Sequence, residues 1–246
     1  MKPLLETRAL HLSFGGLVAA DHIDFQLYEG DRLAVIGQNG AGKTTFINIC
    51  TGYLKPQSGE VWFDGKKITA LKPRQIVRLG IGRSFQLPQL FSEQSVRECL
   101  QIAAARQNRR LSLFQSLEAS VNIREVEETL ELVGLRADAH HRSSDLPEGK
   151  RKLLDVAMAL VLKPKLLIMD EPTSGVASED KHGLMQTIMQ ALEMRKVTSW
   201  FVEHDVDIVE QYATRVCAWI SGAIVADGKP DEVLSNPRIS SEILGT

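Results

Sequence analysis

Nine consecutive residues have the types and the order that suit the binding of a polyphosphate. They follow an apolar, strand-like run at 32–36 and precede a helix-like run at 46–50, and they are Gly37, Gln38, Asn39, Gly40, Ala41, Gly42, Lys43, Thr44 and Thr45. Glycines let backbone N–H groups turn toward phosphate oxygens, and the following helix adds the positive end of its dipole. Lys43 is expected to reach the β- and γ-phosphates, and the Thr44 hydroxyl to bind Mg²⁺. The pattern predicts a P-loop for a nucleoside triphosphate.

Two acids end a second apolar run, 166–169, and supply chemistry that a P-loop lacks. They are Asp170 and Glu171, and Pro172 follows them. An acid at the carboxyl end of a buried strand holds Mg²⁺ beside the phosphates, usually through water. We therefore expect Asp170 to bind the metal and Glu171 to polarise an attacking water. Paired acids are also common in solvated loops, but a P-loop upstream favours the catalytic interpretation.

Three more side chains follow strand-like segments. His204 comes after the run 197–202, from where it is expected to hydrogen-bond the γ-phosphate and orient the water. Gln86 follows the run 81–85, and its amide is able to coordinate Mg²⁺ and sense the γ-phosphate. Phe14 precedes a Gly-Gly turn. Its ring is expected either to pack in the core or to stack on an adenine ring, and the sequence alone does not decide between the two roles.

The periodicity predicts a parallel α/β core that is interrupted by helices. Strands are expected within 4–30, 60–68, 81–85, 166–170 and 197–202, and helices at 73–79, 179–194 and 206–212, with a hairpin about 221–222 and a short helix at 231–234. Between about 92 and 162 the spacing is helical, with helices expected at 96–107, 123–133 and 151–162. The chain therefore predicts a mixed core with a helical insert.

Composition limits the possible partners. The 246 residues carry a formal net charge of −2, so no basic field suggests nucleic acid. The three cysteines each lie in an apolar run, which predicts buried free thiols and a reduced, cytosolic compartment. No run resembles a secretory signal or a transmembrane helix. Any work at a membrane is therefore expected to depend on a partner subunit.

In their order along the chain these segments resemble an ABC transporter ATP-binding subunit. The similarity covers essentially residues 1–246 and is carried by the P-loop, Ser84-Phe85-Gln86, the helical insert, Leu146-Pro147-Glu148-Gly149-Lys150, the Leu-Leu-Ile-Met-Asp-Glu-Pro run and Val202-Glu203-His204-Asp205. It implies one ABC ATP-binding domain, with a P-loop NTPase (RecA-like) core and an antiparallel β subdomain at 1–86 and 164–246. An α-helical subdomain at 87–163 completes it.

The resemblance also implies site roles and partners. Phe14 falls at the adenine-stacking aromatic, Gln86 at the loop that contacts Mg²⁺ and the membrane subunit, Glu171 at the catalytic base and His204 at the switch histidine. Two such subunits, identical or different, dimerise head to tail around two ATP molecules. ATP and Mg²⁺ are the implied cofactors, and transmembrane permease subunits hold the dimer at the cytoplasmic face of the inner membrane.

More narrowly, four segments are similar to the ATP-binding subunits of branched-chain amino acid importers. They are Ser13-Phe14-Gly15-Gly16-Leu17, residues 37–42, residues 85–91 and Val202-Glu203-His204-Asp205-Val206, and an extra segment at 107–122 agrees with them. The resemblance implies import with a periplasmic or extracellular solute-binding protein. Relatives in that branch handle urea or other small solutes, so the transported solute stays open.

Two places depart from the family pattern. The signature, Leu-Ser-Gly-Gly-Gln or Leu-Ser-Tyr-Gly-Gln in this branch, here reads Leu146, Pro147, Glu148, Gly149 and Lys150. The serine hydroxyl meant for the partner's γ-phosphate is absent, and Glu148 adds negative charge. In the alternative, structural interpretation, Asp145 and Glu148 form a helix-capping pair. Ala177 stands where the family usually has an acid or amide.

These departures predict asymmetry, because this chain's own P-loop half is intact and its signature is unusual. If the partner is a different subunit, one composite ATP site is expected to hydrolyse well and the other poorly. An ATP-gated subunit with weak hydrolysis is the alternative that Glu148 keeps open. Soluble ABC ATPases of repair or translation would add coiled coils or a second cassette, which this chain lacks. A small-molecule kinase would lack both the signature and the switch histidine.

Overall fold

The computed structural model describes residues 2–88, 90–105 and 121–244. The expected end of the first insert helix at 106–107 and nearly all of the segment 107–122 therefore lie outside the described residues. Packing divides the chain into a first unit, Met1–Ile81 with Thr198–Thr246, and a second unit, Gly82–Val197. The division into a RecA-like core, a β subdomain and a helical subdomain at the boundaries given above stays a prediction.

The first unit contains two sets of strands. An antiparallel sheet has the order β2-β1-β4-β5, and a second set has the order β10-β9-β3-β8. β3 runs parallel to both β8 and β9, as the α/β pattern predicts, while β10 pairs antiparallel with β9. The strands are β1 (Leu5–Phe14), β2 (Leu17–Leu27), β3 (Arg32–Gly37), β4 (Ser58–Phe63), β5 (Lys66–Lys67), β8 (Thr198–Val202), β9 (Arg215–Ile220) and β10 (Ala223–Gly228).

Aromatic packing fixes the first helix of this unit against the parallel strands. The helices are α1 (Lys43–Cys50), α2 (Pro73–Leu79), α7 (Val206–Tyr212), α8 (Pro230–Leu234) and α9 (Pro237–Ile239), followed by a π-turn at Ser240–Leu244. The ring of Phe46 on α1 lies 5.3 Å from that of Trp200 on β8 and 4.8 Å from that of Trp219 on β9. All three rings are buried, and burial of such large apolar surfaces dominates core energetics. The start of α1 is thereby held at the end of β3.

The second unit consists mainly of helices. Its strands β6 (Ile81–Ser84) and β7 (Leu166–Asp170) are hydrogen-bonded neighbours, and its helices are α3 (Val96–Ala105), α4 (Ile123–Leu132), α5 (Glu148–Leu160) and α6 (Ser178–Met194). All five residues of β7 are buried, which agrees with its continuous apolar run. Glu125 on α4 forms ion pairs with Lys163, at 2.5 Å, and with Arg195, at 2.7 Å. These pairs connect α4 to the residues that follow α5 and α6.

α5 begins at Glu148, three residues before the predicted start at Arg151. The prediction was late because the apolar residues begin only at Leu153, beyond a first turn of polar residues. Its C-terminal part agrees with the pattern. The signature residues 148–150 are therefore the first turn of this helix.

Cys50, Cys99 and Cys217 are free and buried, as predicted. Burial raises the pKa of the Cys50 and Cys217 thiols well above the ordinary range, so both stay neutral and unreactive. Within the part of the chain that the structure describes, no helix combines the length and the hydrophobicity needed to cross a bilayer.

Candidate functional site

The P-loop connects the end of β3 to the start of α1, as the sequence predicts. Gly42 is the N-cap of α1 and has φ +107°. A Cβ at this position would lie 2.2 Å from the backbone oxygen of Ala19, a distance that real Cβ atoms do not adopt. Both the positive φ and the close approach therefore require glycine. Gln38, Asn39 and Gly40 are exposed, so the loop presents its backbone to solvent.

Lys43 lies at the centre of this loop. Its side chain is buried, and its ammonium donates hydrogen bonds to the carbonyl oxygens of Gly37 at 2.5 Å and Gln38 at 2.9 Å. These two hydrogen bonds hold the ammonium inside the loop. Thr44 is exposed in the first turn of α1, and the P-loop thus offers a cation, a hydroxyl and a helix N-terminus.

Two other predicted residues lie in the same unit. Phe14, at the end of β1, is 50% exposed, which excludes simple core packing for this ring. His204 is exposed just after β8, and its backbone N–H donates to the carboxylate of the buried Glu203 at 3.3 Å. Because β8 is the parallel neighbour of β3, the carboxyl ends of both strands lie at one edge of the sheet. His204 and the P-loop therefore share that edge.

The C-terminal segment also reaches the P-loop. The side-chain nitrogen of Gln38 donates a hydrogen bond of 2.5 Å to the backbone oxygen of Glu242. This contact was not predicted, because the C-terminal segment carries no motif.

In the second unit the structure brings together Gln86 and Glu171. The Gln86 amide nitrogen donates a 2.5 Å hydrogen bond to the Glu171 carboxylate. Glu171 has φ +52°, a conformation that is uncommon for residues other than glycine and clusters at functional sites. Beneath them the buried ammonium of Lys152 donates to the backbone oxygen of Gln86 and, at 3.4 Å, to that of Glu171. Both predicted residues are thus fixed by one lysine.

Asp170 is buried at the end of β7 and pairs with Arg83. The guanidinium nitrogen lies 3.4 Å from the carboxylate oxygen, and both side chains are less than a tenth exposed. The same guanidinium stacks over the ring of Phe85, 4.8 Å from its centre. A buried carboxylate needs such a partner, since an uncompensated buried charge is strongly unfavourable. The ion pair therefore fixes the orientation of the Asp170 carboxylate.

Arg83, Lys152 and Asp155 were missed by sequence reasoning, although each orients a predicted residue or its neighbour. Asp155 accepts a 2.8 Å hydrogen bond from the backbone N–H of Phe85. A signal for Lys152 and Asp155 existed, because both lie on the buried face of α5, where a charged residue needs a specific partner. Arg83 had a weaker signal, as a cation within a short strand whose other three residues are buried.

The signature residues are engaged within the second unit. Arg151 donates to Glu148 at 2.5 Å, and the Lys150 ammonium donates to both carboxylate oxygens of Asp138, at 2.8 and 2.9 Å. Each charge of this segment therefore has an opposite charge beside it.

The predicted capping pair of Asp145 and Glu148 is wrong. The N-cap of α5 is Pro147, and Glu148 is the first helical residue rather than the third. A capping box requires the acid at the third helical position, so Glu148 cannot bond back to the cap. The Asp145 carboxylate instead accepts a hydrogen bond from Ser144. Ala177 is likewise the N-cap of α6 and has no side-chain acceptor to offer.

Comparison with known proteins agrees with this arrangement. The ABC transporter family matches residues 20–174. The chain is 36% identical to the probable branched-chain amino acid transport ATP-binding protein LivG of Archaeoglobus fulgidus, with 98% of this chain and 95% of the relative covered. It is 31% identical to the high-affinity branched-chain amino acid transport ATP-binding protein LivG of Escherichia coli K12, with 99% and 98% covered.

Solved structures show the same fold. The chain is similar to the ADP conformation of MJ1267, an ATP-binding cassette of an ABC transporter, with a TM-score of 0.84, 30% identity and all of both chains covered. A nucleotide-free ATP-binding cassette from an ABC transporter gives a TM-score of 0.80 at 32% identity, with 97% of each chain covered. These matches confirm the predicted P-loop NTPase fold and the predicted ATPase class. The chain belongs to the ABC transporter family, as one of its ATP-binding, ATP-hydrolysing subunits.

Proposed function

We propose that this subunit hydrolyses ATP at the cytoplasmic face of the inner membrane to power the import of a small solute, with a branched-chain amino acid as the first candidate. The observation that carries the proposal is the similarity over nearly the whole chain to relatives named as branched-chain amino acid transport ATP-binding proteins. The partners are a second ABC subunit, transmembrane permease subunits and a periplasmic or extracellular solute-binding protein. The formal net charge of −2 argues against a nucleic acid partner.

The nucleotide binds along the P-loop, residues 37–45. Lys43 exchanges the carbonyl oxygens of Gly37 and Gln38 for β- and γ-phosphate oxygens, which offer it full negative charges. Phe14 stacks on the adenine ring, for which its exposed face is suited. Support for these roles comes from the geometry of the loop and from the family to which the chain belongs.

The donors present fit a magnesium ion. Thr44 offers a hydroxyl, Asp170 a carboxylate and Gln86 an amide oxygen, and hard oxygen ligands of this kind are those that Mg²⁺ prefers. The side-chain nitrogen of Gln86 donates its hydrogen bond to Glu171, so the side-chain oxygen of Gln86 is the atom that remains to bind a metal. Bound Mg²⁺ neutralises charge on the phosphate oxygens.

The side chains then divide the hydrolysis between them. Glu171 accepts a hydrogen bond from the attacking water and takes up its proton as the water oxygen bonds to the γ-phosphorus. His204 hydrogen-bonds a γ-phosphate oxygen and orients the water. The bond between the γ-phosphorus and the β–γ bridging oxygen breaks, and ADP leaves. Lys152 keeps Glu171 and Gln86 in place through their backbone oxygens.

The signature contributes weakly to the partner's ATP. Glu148 and Lys150 are each paired within their own unit, and Pro147 has no hydroxyl to donate to a γ-phosphate. This supports an asymmetric dimer in which the site built on this chain's P-loop is the productive one. An ATP-gated subunit with weak hydrolysis is the alternative, and total ATPase activity separates the two.

Glu171→Gln in this subunit alone tests the assignment. Loss of one transition-state interaction of this kind costs about 10²–10³ in kcat, so ATPase activity of the assembled complex should fall by that factor while ATP still binds. Glu179→Gln, an exposed acid in the first turn of α6, is the matched control and should leave activity unchanged. Full residual activity of Glu171→Gln would contradict the productive-site assignment.

A second experiment tests the solute. The complex is reconstituted with its permeases and binding protein, and ATPase stimulation is measured with leucine, isoleucine, valine and urea. Stimulation by the branched-chain amino acids alone supports the proposal. Stimulation by urea alone replaces the proposed solute and leaves the ATPase assignment standing.

A further inference from the structure

Three metal-ligating side chains meet on the antiparallel sheet of the first unit. His11 lies on β1, and Asp21 and His22 lie on β2. One ligand atom from each residue lies within 4.8 Å of the other two. His22 Nδ1 is 2.8 Å and His11 Nδ1 is 3.7 Å from the same oxygen, Asp21 Oδ1. None of these residues belongs to the nucleotide site described above.

A β-bulge brings these three side chains together. Leu10 pairs with Ile23 and Leu12 with Ala20, so two residues of β2 lie opposite the single residue His11. Neighbours in a regular strand point to opposite faces of a sheet, whereas a bulge re-aims a side chain.

The backbone of the bulge agrees with this account. His22 has φ +50°, which is uncommon for residues other than glycine. The irregular backbone therefore occurs where the three side chains converge, and bulges are frequent next to functional sites.

His11 has an unsatisfied nitrogen directed at this cluster. Its Nδ1 is inaccessible to solvent and has no hydrogen-bond partner within the described part of the chain. A buried polar atom left in this way is costly, and an imidazole nitrogen is also a common metal ligand. The side chains of Asp21 and His22 are 57% and 68% exposed, so an ion reaches the cluster from solvent.

The two distances to Asp21 Oδ1 are close to those around a tetrahedral ion. With metal–ligand bonds of about 2.0–2.1 Å, ligand atoms around tetrahedral Zn²⁺ lie about 3.3 Å apart. The observed 2.8 and 3.7 Å lie on either side of that separation. Two imidazole nitrogens and a carboxylate oxygen suit Zn²⁺ and its transition-metal neighbours rather than Mg²⁺. We propose that His11, Asp21 and His22 form a zinc-class divalent metal site, with water as the fourth ligand, that cross-links β1 and β2.

Backbone hydrogen bonds connect this metal site to the P-loop. The N–H of Asp21 donates to the oxygen of Gly222 at 2.9 Å, and the N–H of Gly222 donates to the oxygen of Ala41 at 2.8 Å. An ion that ties β1 to β2 therefore stabilises the folded state of this unit next to the nucleotide loop. The effect is on stability and does not require catalysis.

Metal titration of the full chain, with any histidine tag removed, tests the site. Co²⁺ serves as the spectroscopic probe and should give the visible absorption of a tetrahedral N,O site, and Zn²⁺ should displace it and raise the Tm. His22→Ala and His11→Asn should each weaken Zn²⁺ binding by at least about 10–100-fold, the loss that even outer-shell partners of a metal site cause.

His141→Ala is the matched control. His141 Nδ1 also lies 3.4 Å from an aspartate oxygen, that of Asp138, but Lys150 already binds this carboxylate. This variant should bind Zn²⁺ like the wild type. The exposed His22→Ala should fold normally by circular dichroism in EDTA, so it decides the question if His11→Asn does not fold. Absence of a Co²⁺ spectrum and of a Zn²⁺-dependent Tm shift, or equal Zn²⁺ affinity of wild type and His22→Ala, would overturn the proposal.

Discussion

The P-loop and the signature segment both carry family motifs, but they are built differently. The P-loop is a backbone device, in which Gly42 has a positive φ and no room for a Cβ. The signature is the first turn of α5, in which Gly149 has ordinary helical surroundings and its neighbours Glu148 and Lys150 form ion pairs. A motif that depends on backbone geometry tolerates little change. A motif that depends on side chains changes its chemistry while the helix stays.

The strongest test of this contrast exchanges one glycine in each motif for alanine. In Gly42→Ala the strained φ costs about 1–3 kcal/mol and the clash with Ala19 costs about 1–3 kcal/mol. The free loop is expected to relax away from this strain, and binding must then restore the strained conformation. Equilibrium binding of ATP should therefore weaken by roughly a hundredfold or more, since each 1.4 kcal/mol is a factor of ten. Gly149→Ala should instead stabilise α5 by about 0.5–1 kcal/mol, because its nearest neighbour would be 4.0 Å away. Equal effects of the two changes on ATP binding would remove the contrast.

The second prediction concerns a side chain that holds the catalytic end of β7. Arg83→Met leaves the Asp170 carboxylate without its buried ion pair, which should cost about 3 kcal/mol of unfolding free energy, measured by urea denaturation. Arg83→Lys retains a charge and should cost less. The exposed pair of Arg124 and Glu128 is the control, where Arg124→Met should change stability by less than about 1 kcal/mol. A similar small loss for Arg83→Met would mean that the ion pair does not hold Asp170.

The fold was largely predictable because its signals are local. α2, β7 and α7 have the bounds that the sequence predicts, since Gly80, Pro172 and Asp205 end or precede apolar patterns. The start of α5 was not predictable in this way. Its first turn is polar, so a rule that reads apolar spacing begins the helix three residues late.

The motif residues of the candidate site were predictable, but the residues that orient them were not. Lys43, Glu171 and His204 follow strands, and the chain order alone identifies strand ends. Arg83 and Lys152 act through contacts between residues that are far apart in the chain. Arg83 and Asp170 are 87 residues apart, and Lys152 and Gln86 are 66 residues apart, so no local pattern predicts these pairs. The cluster of His11, Asp21 and His22 was missed for the same reason, because it depends on a register shift between two strands.

The third prediction restores the absent hydroxyl of the signature. Pro147→Ser adds a donor for the partner's γ-phosphate, and a hydrogen bond to a charged group contributes about 1.5–3 kcal/mol. ATPase activity of the assembled dimer should rise by about tenfold at the partner's site. The Tm should stay nearly unchanged, because the new N-cap gains about 1 kcal/mol and the loss of proline costs about 0.4–1 kcal/mol.

Measurement with Glu171→Gln in this subunit isolates the partner's site. Glu148→Gln, combined with Pro147→Ser, should add to the gain if the negative charge opposes the phosphate. No rise in either case would place the asymmetry outside the signature.

The smallest expected effect is at Ala177, the N-cap of α6. Its backbone has the extended ψ of 144° typical of a cap, so Ala177→Asp should accept a hydrogen bond from the first turn and stabilise the helix. Glu179 and Asp180 in that turn repel the new charge, so the gain should be about 0.5–1 kcal/mol, measured as a rise in Tm. Ala177→Asn, which caps without charge, should gain slightly more at low salt, whereas Ser178→Asp, one position later, should not cap. If Ala177→Asp changes ATPase activity in the dimer without changing the Tm, then this position couples the two ATP sites, and its alanine is a functional departure rather than a missing cap.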